Sequence, residues 1–470
     1  MFHIVIILLI LMKYHTLSER PNIIFILADD LDTQYGNWTN YFPKIKTLLS
    51  DKGLTFTNAY VSVGLCCPSR ASLLTGRYAH NTKIMTNHFP NGGFQKMYDL
   101  NLENSTIATW LQNAGYRTAL FGKYLNGYPA NVNETYIPPG WTEWYAGEYD
   151  PYKQFNYTFN QNGKLVFYGL QPEDYLQDVL KDLATDFINR TTLDQGPFFM
   201  WISSFSPHRP AAFAPRYAKA FSQSMAPRPP SFNDPNISPP SLWTNKLPLL
   251  NNTQISFLDN LYRRRLKSML AIEDTVEAII DALNNSNQLD NTYIFFSSDN
   301  GYHLGQHRMR SGKNTEFEED ICVPLIVRGP NIPQGINSNA LVLNNDIAPT
   351  FAELANASWP ETIDGRSMLP LLFPSNKTDI VWRRAFLIEH WTNSVRKSPP
   401  LFKGIHTKDK VFIEYSNKQQ EYYDIEYDPY ERNDNVSGMN QITWNKLSIW
   451  LRNLQLCAGQ SCRILENFRM

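Results

Sequence analysis

The chain alternates between short apolar runs and longer amphipathic stretches. Residues 22–28, 117–121, 198–205, 292–298 and 323–327 are near-continuous runs of aliphatic and aromatic side chains. Runs this short, without polar alternation, predict strands buried on both faces, as in a parallel sheet. Between them, residues 173–190 place Leu176, Val179, Leu180, Leu183 and Phe187 on one stripe. Residues 254–283 do the same with Leu258, Leu261, Leu266, Met269, Val276 and Ile280. Apolar positions at that spacing predict amphipathic helices. Strands alternating with helices predict an α/β fold, with a large, mostly parallel sheet between layers of helices.

The pattern changes near residues 373–379, where Pro-Ser-Asn-Lys-Thr reads as a linker. Beyond it, alternation over 410–415 and 420–425 and an amphipathic stretch over 441–456 predict a small C-terminal α+β domain with an antiparallel sheet. The expected organisation is a leader over 1–19, a large domain over 20–374 and a small domain over 375–470. Two long connections, 125–170 (rich in Tyr and Trp) and 207–248 (rich in Pro), are expected to be irregular and to wall a crevice.

The strand ends carry the candidate chemistry. The first run leads into Asp29 and Asp30, the second into Gly122 and Lys123, the third into Pro207 and His208, and the fourth into Asp299 and Asn300. Ligands of open α/β sheets bind beyond the carboxyl ends of the strands, so parallel, adjacent strands would bring these groups into one crevice. Asp29, Asp30, Asp299 and Asn300 offer hard oxygen ligands and three carboxylates. Such a set is buried together only with a cation, and oxygen ligation favours calcium or magnesium over zinc. A helix cap and a solvated turn are the plainer alternative for the paired acids.

Composition sharpens this picture in three ways. The 470 residues, 43% hydrophobic, suffice for one large and one small domain. With 43 basic and 44 acidic residues, no basic tail points to nucleic acid, so a charged ligand must be met locally. The five cysteines do not make a disulfide-built scaffold. Cys457 and Cys462 are expected to pair, and Cys322 to pack as a small buried hydrophobe. For Cys66 and Cys67, a vicinal disulfide or two buried thiols are the plain readings.

Residues 4–12 form a short apolar run followed by polar residues 13–20, which reads as a secretory signal peptide rather than a stable membrane span; an uncleaved anchor and a buried strand are the alternatives. About eleven Asn-x-Ser/Thr sequons, from Asn37 to Asn435, fit passage through a glycosylating compartment. Secretion or a lysosome-like compartment is therefore the expected location.

Cys66-Cys67-Pro68-Ser69-Arg70, followed by Ala71-Ser72-Leu73-Leu74-Thr75-Gly76-Arg77, resembles the Cys-x-Pro-Ser-Arg element of type I sulfatases. Pro68 suits a first helical turn, which places position 66 at a helix N-terminus that favours an anion. The resemblance extends through Arg20-Pro21-Asn22 to Asp29-Asp30, Phe121-Gly122-Lys123-Tyr124-Leu125-Asn126, Tyr136-Ile137-Pro138-Pro139-Gly140-Trp141, Ser206-Pro207-His208 and Asp299-Asn300-Gly301-Tyr302-His303. Its flavour is that of the N-acetylglucosamine-6-sulfatase branch, which is similar to the catalytic domain of extracellular heparan sulfatases.

The resemblance implies an alkaline-phosphatase-like sandwich and hydrolysis of sulfate monoesters through formylglycine made from Cys66 by a formylglycine-generating enzyme. It implies one calcium ion (Ca2+) per chain, held by Asp29, Asp30, Asp299, Asn300 and the modified residue 66. Arg70, Lys123 and Lys313 would stabilise the aldehyde hydrate and the sulfate oxygens, and His208 would bind sulfate or protonate the leaving alcohol. One hydroxyl of the hydrate would attack sulfur and the other would expel sulfate, a second step that serine or cysteine lacks.

One position departs from the family: many members carry His where this chain has Leu125, as the glucosamine-6-sulfatase branch also does. His80, His303 and His307 are candidates for the missing base or for substrate contacts. The implied substrate is glucosamine 6-sulfate in glycosaminoglycan-like chains, with a broad arylsulfatase as the alternative. A phosphodiesterase of the same fold, with Ser or Thr as nucleophile, and a non-catalytic glycan-binding glycoprotein are the remaining readings.

Overall fold

The structure is a computed structural model describing residues 20–33, 38–149, 151–192, 196–239, 242–374, 382–391 and 399–468. The leader at 1–19, and the linker from residue 375 with the expected domain boundary, lie outside the described residues.

Ten strands form one sheet: β1 (Asn22–Ala28), β2 (Leu54–Phe56), β3 (Arg117–Gly122), β4 (Glu143–Gly147), β5 (Tyr157–Gln161), β6 (Lys164–Tyr168), β7 (Phe198–Ser203), β8 (Thr292–Ser298), β9 (Leu325–Arg328) and β10 (Ile336–Ser338). Their order is β10-β2-β9-β8-β1-β7-β3-β4-β5-β6. The five from β8 to β4 run parallel, with β1 at their heart, in register with β7 and β8. The ends of β1, β3, β7 and β8 therefore meet along one edge.

Two expectations need correction. The run at 323–327 becomes β9, which is antiparallel to β8 and β2 rather than parallel. Among the described residues between β8 and β9, the only helix is the single turn Glu318–Ile321, so no crossover carries the chain back across the sheet and it re-enters reversed. The stretch 125–170 is not irregular throughout, because β4, β5 and β6 extend the sheet there. Trp144, Tyr157 and Phe159 are buried, and aromatic side chains fit a pleated, half-buried surface. Among its described residues the 207–248 stretch does remain irregular, with only short 3-10 turns.

Helices cover both faces. Ile23, Phe25 and Leu27 of β1 point into a core shared with α1 (Cys66–Thr75), while Ile24, Ile26 and Ala28 face the core shared with α2 (Leu176–Thr191) and α3 (Asn252–Asn285). On the first face, Phe351 of α4 (Ile347–Leu354) packs 5.5 Å from Phe25 and 4.7 Å from Phe295, ring to ring. Each fully buried Phe of this kind contributes roughly 2–3 kcal/mol of burial.

The C-terminal part forms an antiparallel sheet of β11 (Ala385–His390), β12 (Phe402–Thr407), β13 (Lys410–Tyr415) and β14 (Gln420–Asp424), covered by α5 (Gln441–Leu454). This lobe shares its core with the larger one: Phe386, Leu387 and Ile413 cluster with Tyr60, Tyr78 and Phe317. Buried Arg383 joins the lobes through Asp346 at 2.5 and 2.8 Å and Glu466 at 2.8 Å. Cys457 and Cys462 form a disulfide, and Cys322 is buried, as expected. Among the described residues, no helix is long and apolar enough to cross a membrane.

Candidate active site

Helix α1 begins at Cys66 itself, with Pro68 in its first turn where no intrahelical donor is needed. The Asn87 side chain accepts from the Cys67 amide at 2.9 Å, satisfying one of the open N–H groups of that turn. The helix stops at Gly76, whose φ of 67° is the left-handed geometry of a C-cap. Every residue of α1 is buried, so Cys66 and Arg70, one turn apart, are fixed from all sides.

The sheet edge delivers the other groups. Asp29 and Asp30 follow β1, and Asp30 sits at a φ of 69°, uncommon for a residue with a side chain. That conformation is held by its own amide donating to Asp299 Oδ1 at 3.0 Å and by Arg265 Nη2 donating to its carbonyl at 2.6 Å. Lys123 follows β3 and reaches Asp29 Oδ2 at 2.8 Å. Arg70 Nε donates to Asp299 Oδ2 at 2.8 Å, and its Nη1 to Ser203 Oγ at 2.7 Å. Its Nη2 is buried without a hydrogen-bond partner, leaving one donor for a ligand oxygen.

Lys313 lies far along the chain, and its ammonium meets both Asp30 Oδ1 and Cys66 Sγ, the latter at 2.6 Å. His208 Nδ1 donates to the Arg209 carbonyl at 2.6 Å, which turns Nε2 to face Asp30 Oδ2 at 3.7 Å. Tyr152 stacks on that imidazole at 3.9 Å and takes a hydrogen bond from Asn126 at 3.0 Å. Three carboxylates thus face three cations in a buried cluster. Burial opposes ionisation of Asp29 and Asp30, but the neighbouring lysines and His208 outweigh it and hold both acids below the usual carboxylate range.

The donor set fits a hard cation. Among the described residues, Asp30 Oδ2 and Asn300 Oδ1 are buried with no hydrogen-bond partner, and Asp29 Oδ1 faces the Cys66 sulfur at 3.7 Å. Asn300 Nδ2 is anchored on Asp30 Oδ1 at 2.7 Å, so its amide oxygen is the atom left over. Ligand atoms of Asp29, Asp30, Cys66 and His208 lie within 4.8 Å of one another. Oxygen-rich surroundings of this kind suit calcium or magnesium.

As encoded, the Cys66 thiol stands in for whatever species acts at this position. Burial pushes its pKa up, against the lowering effect of Lys123 and Lys313. Neither Cys66 nor Cys67 is in a disulfide.

The structure brings together every site residue predicted from sequence: Asp29, Asp30, Cys66, Arg70, Lys123, His208, Asp299, Asn300 and Lys313. The other histidines have different partners. His80 bonds Glu389 and the Cys457 carbonyl, and His303 bonds Asp320 at 2.9 Å. His307 is buried against Phe317 at 3.7 Å, where burial lowers its pKa to about 3 and keeps it neutral. Leu125 is buried in the core beside α1 and offers no base. Ser203, Arg265, Tyr152 and Asn126 were missed from sequence. Only Asn126 and Tyr152 left a signal there, a polar residue beside Leu125 and the aromatic-rich stretch.

The comparisons agree with this geometry. Residues 21–357 match the sulfatase family, and residues 305–455 match the family described as N-sulphoglucosamine sulphohydrolase, C-terminal. The chain is 34% identical to the N-acetylglucosamine-6-sulfatase of Capra hircus, covering 95% of this chain and 85% of that protein. It is 38% identical to a putative extracellular sulfatase Sulf-1 homolog of Caenorhabditis elegans, over 80% of this chain and 53% of that one. A protein solved in complex with its substrate D-glucosamine-2-N,6-O-disulfate superimposes with a TM-score of 0.79 at 25% identity, covering 96% of this chain and 100% of that one. A buried cysteine opening a helix among sheet-edge acids and lysines, in a chain matched over most of its length, is the arrangement of a hydrolase of sulfate esters, and this chain belongs to the sulfatase family.

Proposed function

We propose that the protein removes 6-O-sulfate from glucosamine residues of glycosaminoglycan-like chains, using formylglycine at position 66 and one calcium ion. The observation that carries the nucleophile is the environment of residue 66, which opens α1, touches Lys313 and faces two acids. The aminosugar reading is supported by relatives named N-acetylglucosamine-6-sulfatase that align along most of both chains.

Formylglycine would supply a hydrate with one hydroxyl to attack sulfur and a second to release sulfate. Calcium, held by Asp29, Asp30, Asp299, Asn300 and residue 66, would supply fixed positive charge beside that nucleophile. Arg70 Nη2, Lys123 and Lys313 offset charge growing on the sulfate oxygens, and they do so from preorganised positions. His208 holds a proton at Nδ1 against the Arg209 carbonyl, so Nε2 is the atom that serves the leaving alcohol. Tyr152 fixes the plane of that ring.

A secreted or lysosome-like destination, with modification by a formylglycine-generating enzyme on the way, completes the reading; relatives named as extracellular sulfatases support it. An algal arylsulfatase from Volvox carteri, 30% identical over 94% of this chain, favours broad aryl sulfate hydrolysis as the second reading. Mass analysis of the peptide containing residue 66 is expected to find formylglycine, and turnover of a 6-sulfated aminosugar is expected to exceed that of a sulfated phenol. Unmodified cysteine throughout, with no turnover of either ester, would overturn the proposal.

A further inference from the structure

Two cavities of about 340 and 310 Å3 adjoin at the shared walls Gln254, Arg310 and Ser311, a depression in two parts. Arg209 and Phe257 bound the first, and Lys313 bounds the second. Lys313 contacts Cys66, so the second cavity reaches the catalytic centre, and Arg209 of the first directly follows His208 in the chain.

Its walls carry one sign of charge. No Asp or Glu lines either cavity, although acids equal bases in the chain as a whole at 44 against 43. Arg209 and Arg310 are exposed and make no ion pair among the described residues. Scarcity of acids does not explain this, because Arg216 and Arg228 of the same proline-rich stretch reach Asp178 and Asp259, both at 2.6 Å. Arg308 is spent differently, donating to the carbonyls of Asp234 and Pro235 at 2.8 and 2.9 Å, and so braces the wall.

Arg209 is also placed rather than free. Its guanidinium lies 5.4 Å from the Phe257 ring centroid, and that ring is 46% exposed. An arginine over an exposed aromatic ring offers positive charge beside an apolar surface on which a sugar ring can lie. Unneutralised positive charge in a concave wall raises the local concentration of anions. The volumes suit a small ligand unit.

We propose that this depression is a second anion subsite, holding the sulfate or carboxylate of the sugar adjacent to the one whose ester is cleaved, with Arg209 and Arg310 supplying the charge. The assignment rests on the reading of the substrate as a glycosaminoglycan-like chain. It makes the enzyme selective for an acidic neighbour, not only for the sulfated glucosamine.

The test compares kcat/KM for 6-sulfated glucosamine linked to a uronate, to a sulfated neutral sugar and to an unsulfated neutral sugar. The wild type is expected to favour the acidic disaccharides about tenfold, the size of one or two charge-assisted contacts at a partly exposed site. That preference falls as salt is raised. In the Arg209→Gln/Arg310→Gln double variant the ratio of acidic to neutral turnover falls to about one, and a ratio cancels any general loss of activity. Whether uronate or sulfate gives the larger ratio identifies the anion held. An unchanged ratio in the variant, or no preference in the wild type, overturns the subsite. Turnover of none of the disaccharides is instead a failure of the substrate reading. Binding of the uronate disaccharide by Cys66→Ala protein, with and without the two arginines, then decides the subsite: about tenfold weaker binding without them supports it, and equal affinity refutes it.

Discussion

Lys313 Nζ lies 2.6 Å from Cys66 Sγ while also bonding Asp30 Oδ1, so one ammonium joins the proposed nucleophile to a carboxylate of the proposed metal site. Burial opposes that charge, but Asp30 and the other acids outweigh it and keep Lys313 protonated well beyond its ordinary range. A fixed cation in a water-poor site is worth most where charge develops. Lys313→Met is expected to lower kcat/KM by about 10²–10³-fold, the cost of removing one preorganised donor. The circular dichroism spectrum should remain native. Activity within a few-fold of wild type would show that Lys313 only balances the charge of Asp30.

The centre of the fold and of the site was legible in the sequence because both are written locally. β1 and β8 are uninterrupted apolar runs, and the acids that follow them are adjacent in sequence to the strands that place them. The strands β4 to β6 were hidden because each is only five residues long, β5 ends in the polar pair Asn160 and Gln161, and the edge strand β6 is largely exposed. Strand direction was hidden too, since β9 reads like any buried strand and only its connection reverses it. Arg265 illustrates the remaining limit. Eleven residues beyond the start expected for its helix, nothing local marks it as the residue that grips the Asp30 carbonyl and Asp32 Oδ2, at 2.6 and 3.0 Å.

Metal binding should be visible as stability, independently of turnover. The unpartnered Asp30 Oδ2 and Asn300 Oδ1 are buried acceptors that a hard cation would satisfy. Chelator-treated protein is therefore expected to unfold at a lower temperature and to recover when calcium is added. A concentration one hundred times the dissociation constant gives about 2.7 kcal/mol of stabilisation. Asp30→Asn should remove most of the response. An equal calcium response in that variant would place the ion elsewhere.

Acidity should act through Glu103, which accepts from Tyr124 Oη at 2.7 Å and Tyr136 Oη at 2.9 Å just behind Lys123. Burial raises its pKa from 4.5 to about 7, against the lowering effect of both tyrosines. The folded chain therefore keeps a proton that the unfolded chain has lost. Its contribution is complete below the unfolded value near 4.5, declines as pH rises, and is exhausted above about 7. The slope in that window approaches about 1.4 kcal/mol per pH unit for this single group. Denaturant unfolding at pH 5 and pH 8 should show the wild type losing stability on the order of 3 kcal/mol more than Glu103→Gln, which has no proton to lose there. Parallel losses in the two proteins would remove Glu103 as the cause. The expected sign follows from burial, which this carboxyl meets best in its neutral form.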